Sequence, residues 1–244
     1  MIRLICIATF LILFLICSIP LFFIEWIIGK FDRQKKDISS LRIVQWAFKV
    51  IIAMTGVKLD VIGEENIPDE AVLFVGNHRS YFDIVVTYAR CKRLTGFVSK
   101  KEMEKIPLLS VWMKYLYCLF LDRTNARAGL KTIMTAIEQI KNGISIWIFP
   151  EGTRNKGEEL SMLDFKDGAF KISTKTGCGI IPVSINNMAD IFEAHMPFVR
   201  RTHVIIEYGK PIYPNELDAE TKKHIGDYVQ NIIQETINKN AALV

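Results

Sequence analysis

The chain opens on an almost unbroken apolar run, Leu4 to Ile24 (LICIATFLILFLICSIPLFFI), before polar and apolar positions begin to mix. About 20 such residues suffice to cross the hydrocarbon core of a bilayer as a helix. A secretory signal peptide would carry a shorter apolar stretch and then a small-x-small cleavage site. Here the run is long and continues into Trp26, Ile27 and Ile28, which predicts an uncleaved anchor. Pro20 predicts a kink, or a turn back within one leaflet. In Ile38–Val57 the apolar Leu41, Ile43, Val44, Trp46, Phe48, Ile51 and Ile52 are interrupted by Arg42, Gln45 and Lys49. That pattern predicts an amphipathic helix in the membrane interface. A helix packed on a globular domain fits it nearly as well.

From Lys58 onward short apolar runs alternate with helical periodicity. Leu59–Ile62, Ala71–Val75, Phe97–Ser99, Cys118–Leu121, Ile144–Phe149, Ile180–Ile185 and Val204–Tyr208 predict strands. Ser80–Arg90, Pro107–Leu116, Ala126–Asn142, Gly168–Lys175 and Asp218–Lys239 predict helices, the third of them closed by Gly143. Alternation of this kind defines an α/β domain with a mixed sheet covered by helices, preceded by an N-terminal membrane-associated helical segment. No repeat, low-complexity tract or linker divides it. The expected organisation is therefore an anchor and interfacial helix over residues 1–57 and one catalytic domain over 58–244.

The net charge of +5 suits an anionic partner such as a phospholipid surface, a phosphate-bearing substrate or an acidic carrier protein. No aromatic-basic stripe, zinc pattern or recognition helix points to nucleic acid. Four basic residues (Lys30, Arg33, Lys35 and Lys36) follow the apolar run and only Arg3 precedes it, which predicts a cytoplasmic domain. The five cysteines are scattered and make no Cys-x-x-Cys pair, arguing against a disulfide framework or a zinc site.

Of the four histidines, His195, His203 and His224 read as surface or structural. His78 stands in GNHRSYFD, directly after a predicted strand, at the sheet edge where α/β folds present ligand sites. An aspartate five residues on, Asp83, can accept a hydrogen bond from one ring nitrogen and leave the other basic toward a substrate. On spacing alone a helix-capping pair is the better explanation of the two residues. A second cluster, FPEGTR, follows the strand ISIWIF. Its Gly152 permits close approach of the backbone to a ligand, and Arg154 offers a planar fork for phosphate or carboxylate. Glu151 can accept from substrate hydroxyls or orient a basic residue. A third candidate, Arg123, closes the strand CLFLD.

NHRSYFD, LFLDR, FPEGTR and IIPVSI, in this order and at these distances, resemble the four signature blocks of the lysophosphatidic acid acyltransferase family, over roughly Val57 to Tyr213. FKDGAF, with Phe165 and Lys166, is similar to the stretch between the last two blocks. Tyr117 departs from the pattern, since a glycine often stands there, and implies a differently shaped pocket. The resemblance implies an enzyme that moves a fatty acyl group from an acyl carrier protein or coenzyme A thioester to the free hydroxyl of 1-acyl-glycerol 3-phosphate. His78 would be the general base and Asp83 its partner. Arg123 and Arg154 would bind the acceptor phosphate, and Glu151 with Gly152 would shape that substrate-binding pocket, with no metal or cofactor. Expected partners are membrane phospholipids, lysophosphatidate and the acyl thioester. A sibling enzyme acylating glycerol 3-phosphate or another lysolipid shares these blocks. A lipid hydrolase would need a nucleophile elbow, and no G-x-S-x-G is present.

Overall fold

A computed structural model describes residues 1–244. Helix α1, Ile2–Phe31, continues through Pro20, and the chain reverses only at Asp32. The reversal falls there because the Asp32 carboxylate accepts the Lys35 N–H at 2.9 Å and caps the next helix, α2, Arg33–Thr55. Helix α2 stops at Gly56, whose φ of 70° places it in the left-handed region. The two helices form an antiparallel hairpin, and both are long and apolar enough to cross a membrane.

The hairpin lies lengthwise on the rest of the molecule. Ser18 in mid-α1 accepts the Trp112 indole N–H at 2.8 Å, and Arg201 donates to the Gly56 carbonyl at 3.2 Å. Glu25, buried on α1, is held by the hydroxyls of Ser39 and Ser40 at 2.6 and 2.9 Å. Leu41, Val44, Ala47 and Ile51 of α2 face inward and are buried, while Arg42, Trp46 and Lys49 are exposed. Helix α2 therefore packs on the domain along one face and leaves a cationic edge outside.

Seven strands follow: β1 Lys58–Ile62, β2 Leu73–Gly76, β3 Thr95–Lys100, β4 Leu119–Leu121, β5 Ser145–Ile148, β6 Ile180–Asn186 and β7 His203–Tyr208. They form one sheet in the order β1-β7-β6-β2-β5-β3-β4, parallel at every pairing except β6 with β7. Between them lie α3 Phe82–Tyr88, α4 Leu109–Tyr115, α5 Ala126–Lys141 and α6 Lys171–Thr176; α7 Ala219–Lys223 and α8 Ile225–Asn240 close the chain.

The two-residue period of the strands sorts their side chains into two cores. Val72 and Phe74 join Phe97, Trp147, Val183, Phe82 and Val86 on the face covered by the hairpin. Leu73 and Val75 join Ile146 and Ile148 under α5 and α8 on the other face. The first core is continuous across residue 57, because Ile7, Leu41, Val44 and Ile51 of the hairpin belong to it.

Two elements differ from the expectation. The terminal helix is interrupted at His224. Its first part, α7, has no buried residue, while α8 buries Ile225, Val229, Ile233 and Ile237 along one stripe against the sheet. Helix α3 begins at Phe82 rather than Ser80, because the backbone N–H groups of Arg79 and Ser80 are taken by Asp83.

Candidate active site

Parallel strands deliver their C-terminal ends to one edge of the sheet. Since β2 lies beside β5 and β6, the loops after these three strands meet. Asn77 extends the β2–β6 pairing one step beyond the strand. Its side-chain amide donates to the Ile185 carbonyl at 2.9 Å and accepts the Ile185 N–H at 2.8 Å. The next residue, His78, thereby leaves the sheet from a fixed point.

Nδ1 of His78 lies 2.8 Å from Oδ2 of Asp83. A carboxylate only accepts, so this contact places the ring proton on Nδ1 and leaves Nε2 with a free lone pair. The same Oδ2 accepts the N–H groups of Arg79 and Ser80, each at 2.8 Å, which fixes the carboxylate to the turn. Asp83 is buried, and its Oδ1 has no partner. The His78 ring stacks on Phe149, with centroids 4.2 Å apart and planes 15° from parallel. Spacing alone had favoured a helix-capping pair; here the N–H groups that Asp83 accepts lie before α3, so it braces the turn and holds the histidine rather than capping the helix.

Both carboxylate oxygens of Glu151 are engaged by backbone donors. It is buried, with one oxygen accepting the His78 N–H at 2.7 Å and the other the Leu163 N–H at 2.8 Å. Of the two roles open to it in the sequence, orienting the basic residue is the one this geometry serves. Burial pushes its carboxyl above the ordinary glutamate range, and the two N–H donors oppose that shift. Gly152 has φ of 74°, and what approaches it closely is the Lys166 side chain, whose Nζ would stand 2.9 Å from any Cβ there. A side chain at 152 would therefore displace a cation from this loop.

Arg154 stacks its guanidinium over the exposed Tyr81 ring at 3.6 Å and donates through Nη1 to Glu193 at 3.1 Å. Arg123 stands past β4, the outermost strand of this half of the sheet. It is exposed, and no hydrogen bond or ion pair joins it to His78, Arg154 or any other side chain. The structure thus brings His78, Asp83, Glu151, Gly152 and Arg154 together on adjoining loops, with Arg123 farther along the same edge.

Tyr117 keeps the left-handed backbone that a glycine would adopt without cost, with φ of 60°. For a non-glycine residue this costs about 1–2 kcal/mol. Its hydroxyl donates to Asp37 at 2.5 Å and accepts from Arg33 at 3.3 Å, which ties the strained turn to the start of α2. Burial and the Asp37 carboxylate both raise the phenol above its ordinary range.

Two residues of this site escaped the sequence reading. Arg79, buried beside His78, donates to the carbonyls of Gly157 and Glu158 at 2.7 and 2.8 Å and pairs with Glu159 at 3.2 Å. It pins the loop after FPEGTR to the histidine turn. Glu193 sits in the short helical turn Glu193–His195 after β6. Nothing in the local sequence signals it, because its partners lie far away in the chain.

A histidine whose Nε2 is left free by a buried carboxylate can accept the proton of a hydroxyl group held beside it. The Acyltransferase family model matches residues 58–186, and the chain belongs to that family. Among its relatives is a 1-acyl-sn-glycerol-3-phosphate acyltransferase from Haemophilus influenzae, 32% identical over 231 residues, covering 92% of both chains. Another, of the same name, from Saccharomyces cerevisiae is 28% identical over 207 residues, covering 82% of this chain and 67% of the relative. The crystal structure of the 1-acyl-sn-glycerophosphate (LPA) acyltransferase PlsC from Thermotoga maritima superposes with a TM-score of 0.81 at 25% identity. That match covers 99% of this chain and 94% of the other. The protein is an acyltransferase, and its apolar hairpin makes it membrane-associated.

Proposed function

We propose that the protein acylates the free hydroxyl of 1-acyl-glycerol 3-phosphate from a fatty acyl thioester, giving phosphatidate. The observation that carries this reading is the 2.8 Å pairing of His78 Nδ1 with buried Asp83, which frees Nε2 as a base beside Arg154. Nε2 takes the proton of the acceptor hydroxyl as its oxygen attacks the thioester carbonyl carbon. The new C–O bond forms, the C–S bond breaks, and His78 returns the proton to the departing thiolate. Free thiols titrate near ~8.5, so the thiolate leaves readily and no stronger acid is needed. Asp83 stabilises the imidazolium between these two proton transfers. Arg154, with Lys166 and Arg123 on the same edge, supplies charge for a phosphate monoester. Glu151 and Gly152 shape that loop rather than touch the acceptor. An acyl carrier protein or coenzyme A thioester serves as donor, and the acceptor arrives by lateral diffusion in the bilayer.

One assay tests this reading: purified protein offered radiolabelled lysophosphatidate and glycerol 3-phosphate with both classes of thioester, followed by identification of the lipid formed. Phosphatidate made from lysophosphatidate is the expected product. Dominant acylation of glycerol 3-phosphate would overturn the acceptor, and dominant release of free fatty acid would favour a hydrolase. In the same assay Arg154→Ala is expected to raise the acceptor KM about tenfold to a hundredfold, the worth of a charged hydrogen bond of roughly 1.5–3 kcal/mol. An equal rise in the donor KM would contradict a phosphate contact.

Residues 1–57 serve in this reading as the membrane-attaching unit and 58–244 as the catalytic unit, at the cytoplasmic face. The hairpin touches the domain at both ends and in the middle, through Arg201–Gly56, Tyr117–Asp37 and Ser18–Trp112. Such contact favours immersion in one leaflet over a crossing. Single cysteines placed at the Asp32 turn and at the Gly56 end are expected to react with an impermeant thiol reagent from the cytoplasmic side only. Labelling of the two ends from opposite sides would reject this disposition.

A further inference from the structure

Glu193 gathers three donors from two signature loops onto one carboxylate. Oε1 accepts the Tyr81 N–H at 2.7 Å and the Arg154 Nη1–H at 3.1 Å, and Oε2 accepts the Ser80 hydroxyl at 2.7 Å. Ser80 is fully buried, and the Glu193 side chain is 15% exposed. The segment that carries Glu193 is itself braced, because the Arg200 N–H closes on the Ile191 carbonyl at 2.9 Å and Val199 is buried. The carboxylate is therefore presented from a fixed backbone.

We infer that Glu193 is the positioning residue that aims Arg154 at the acceptor phosphate and locks it to the turn carrying His78 and Asp83. This rests on the reading of Arg154 as the phosphate contact. A guanidinium has five N–H donors, and Glu193 engages one nitrogen, which leaves the rest of the fork for the ligand. An arginine with no such tether samples many rotamers, and the entropy of ordering it is charged to substrate binding. The Tyr81 ring beneath the guanidinium restrains it from one side, and Glu193 restrains it from another. Tyr81 and Ser80 lie two and three residues before Asp83, so the clamp joins the phosphate seat to the base turn, whose own shape Asp83 keeps through the Arg79 and Ser80 N–H groups. The role is one of geometry rather than charge: a carboxylate beside Arg154 weakens its attraction for phosphate, so the contact serves aim at some expense of field.

Two substitutions separate geometry from charge. Glu193→Ala removes the clamp and is expected to raise the KM for lysophosphatidate about tenfold, with kcat and the donor KM within about threefold of the parent. Glu193→Gln retains an oxygen for Tyr81 and Arg154, and its amide can donate to the Ser80 hydroxyl. It is expected to keep the acceptor KM at or below the parent value. Combining Glu193→Ala with Arg154→Ala should give no further rise over Arg154→Ala alone, since the clamp then has nothing to aim. An unchanged acceptor KM in Glu193→Ala would overturn the inference, as would full additivity with Arg154→Ala. So would equal losses in kcat and both KM values accompanied by a lower melting temperature, which would mark a structural role. If Arg154→Ala itself leaves the acceptor KM unchanged, the phosphate reading fails first, and the two failures are thereby distinguished.

Discussion

His78→Ala is expected to lower kcat by about 10²–10⁴ while the protein remains folded and membrane-bound. The fold should survive because the contacts that hold the turn are made by the backbone of residue 78. Its N–H donates to Glu151 at 2.7 Å, and its carbonyl accepts the Asn155 N–H at 2.7 Å. Both persist in alanine. What disappears is the imidazole between Asp83 and the substrate, together with its stacking on Phe149. No other histidine has the His78 arrangement: His203 is paired with Asp60 at 2.7 Å, His195 faces Asp190 at 4.0 Å in the Glu193 turn, and His224 lies 3.7 Å from Asp227 at the start of α8. Single-turnover measurement with saturating acceptor reads the chemical step directly. Activity within a few-fold of the parent would remove His78 from the mechanism.

Asp83→Asn is expected to cost about 10²-fold or more in kcat and to lower the melting temperature as well. The asparagine fits the space but has no good orientation. With its oxygen in the place of Oδ2 it keeps the Arg79, Ser80 and His78 contacts, but its NH2 group then points where Oδ1 now lies buried without a partner. An unsatisfied buried donor costs about 1–3 kcal/mol. Turned the other way, the amide confronts two backbone N–H groups and forces the histidine proton off Nδ1. The first orientation loses the charge that stabilises imidazolium, and the second also presents the wrong tautomer to the substrate. Turnover close to that of the parent would mean that the carboxylate only braces the turn before α3. Thermal unfolding followed on the same preparation separates the stability cost from the rate.

Much of this fold is legible in the sequence because its strands are short, β-branched and bounded by turn residues, and because α5 and α8 bury regular apolar stripes. The dyad is legible for a local reason, since five residues across a strand-to-helix turn bring His78 to Asp83. Glu151 was legible as a candidate position, but which of its two roles its orientation serves was not. Spacing locates a residue in a loop, whereas the direction of a side chain depends on which backbone N–H groups a neighbouring strand presents. Glu193 was illegible for a stronger version of the same reason. Its partners Ser80, Tyr81 and Arg154 are reached only after β6 has been laid beside β2. Of the kink or turn back expected at Pro20, where proline lacks one N–H, the turn back is not taken there, and the chain reverses at Asp32 instead. In the folded chain, Ser18 bonds to the Phe14 carbonyl and to Trp112, and α1 continues through it.

The core shared between the hairpin and the sheet ties purification to catalysis. Leu41, Val44 and Ile51 pack in the same cluster as Phe82 and Val86 of the helix that carries Asp83. A soluble version cut at Val57 would expose that cluster to water, and the turn built on α3 would lose its backing. The hairpin and the sheet should therefore melt as one cooperative unit. Surfactants that strip lipid from α1 would then inactivate the enzyme by loosening its interior, and milder amphiphiles would preserve turnover by acting as solvent for one wall of the active domain.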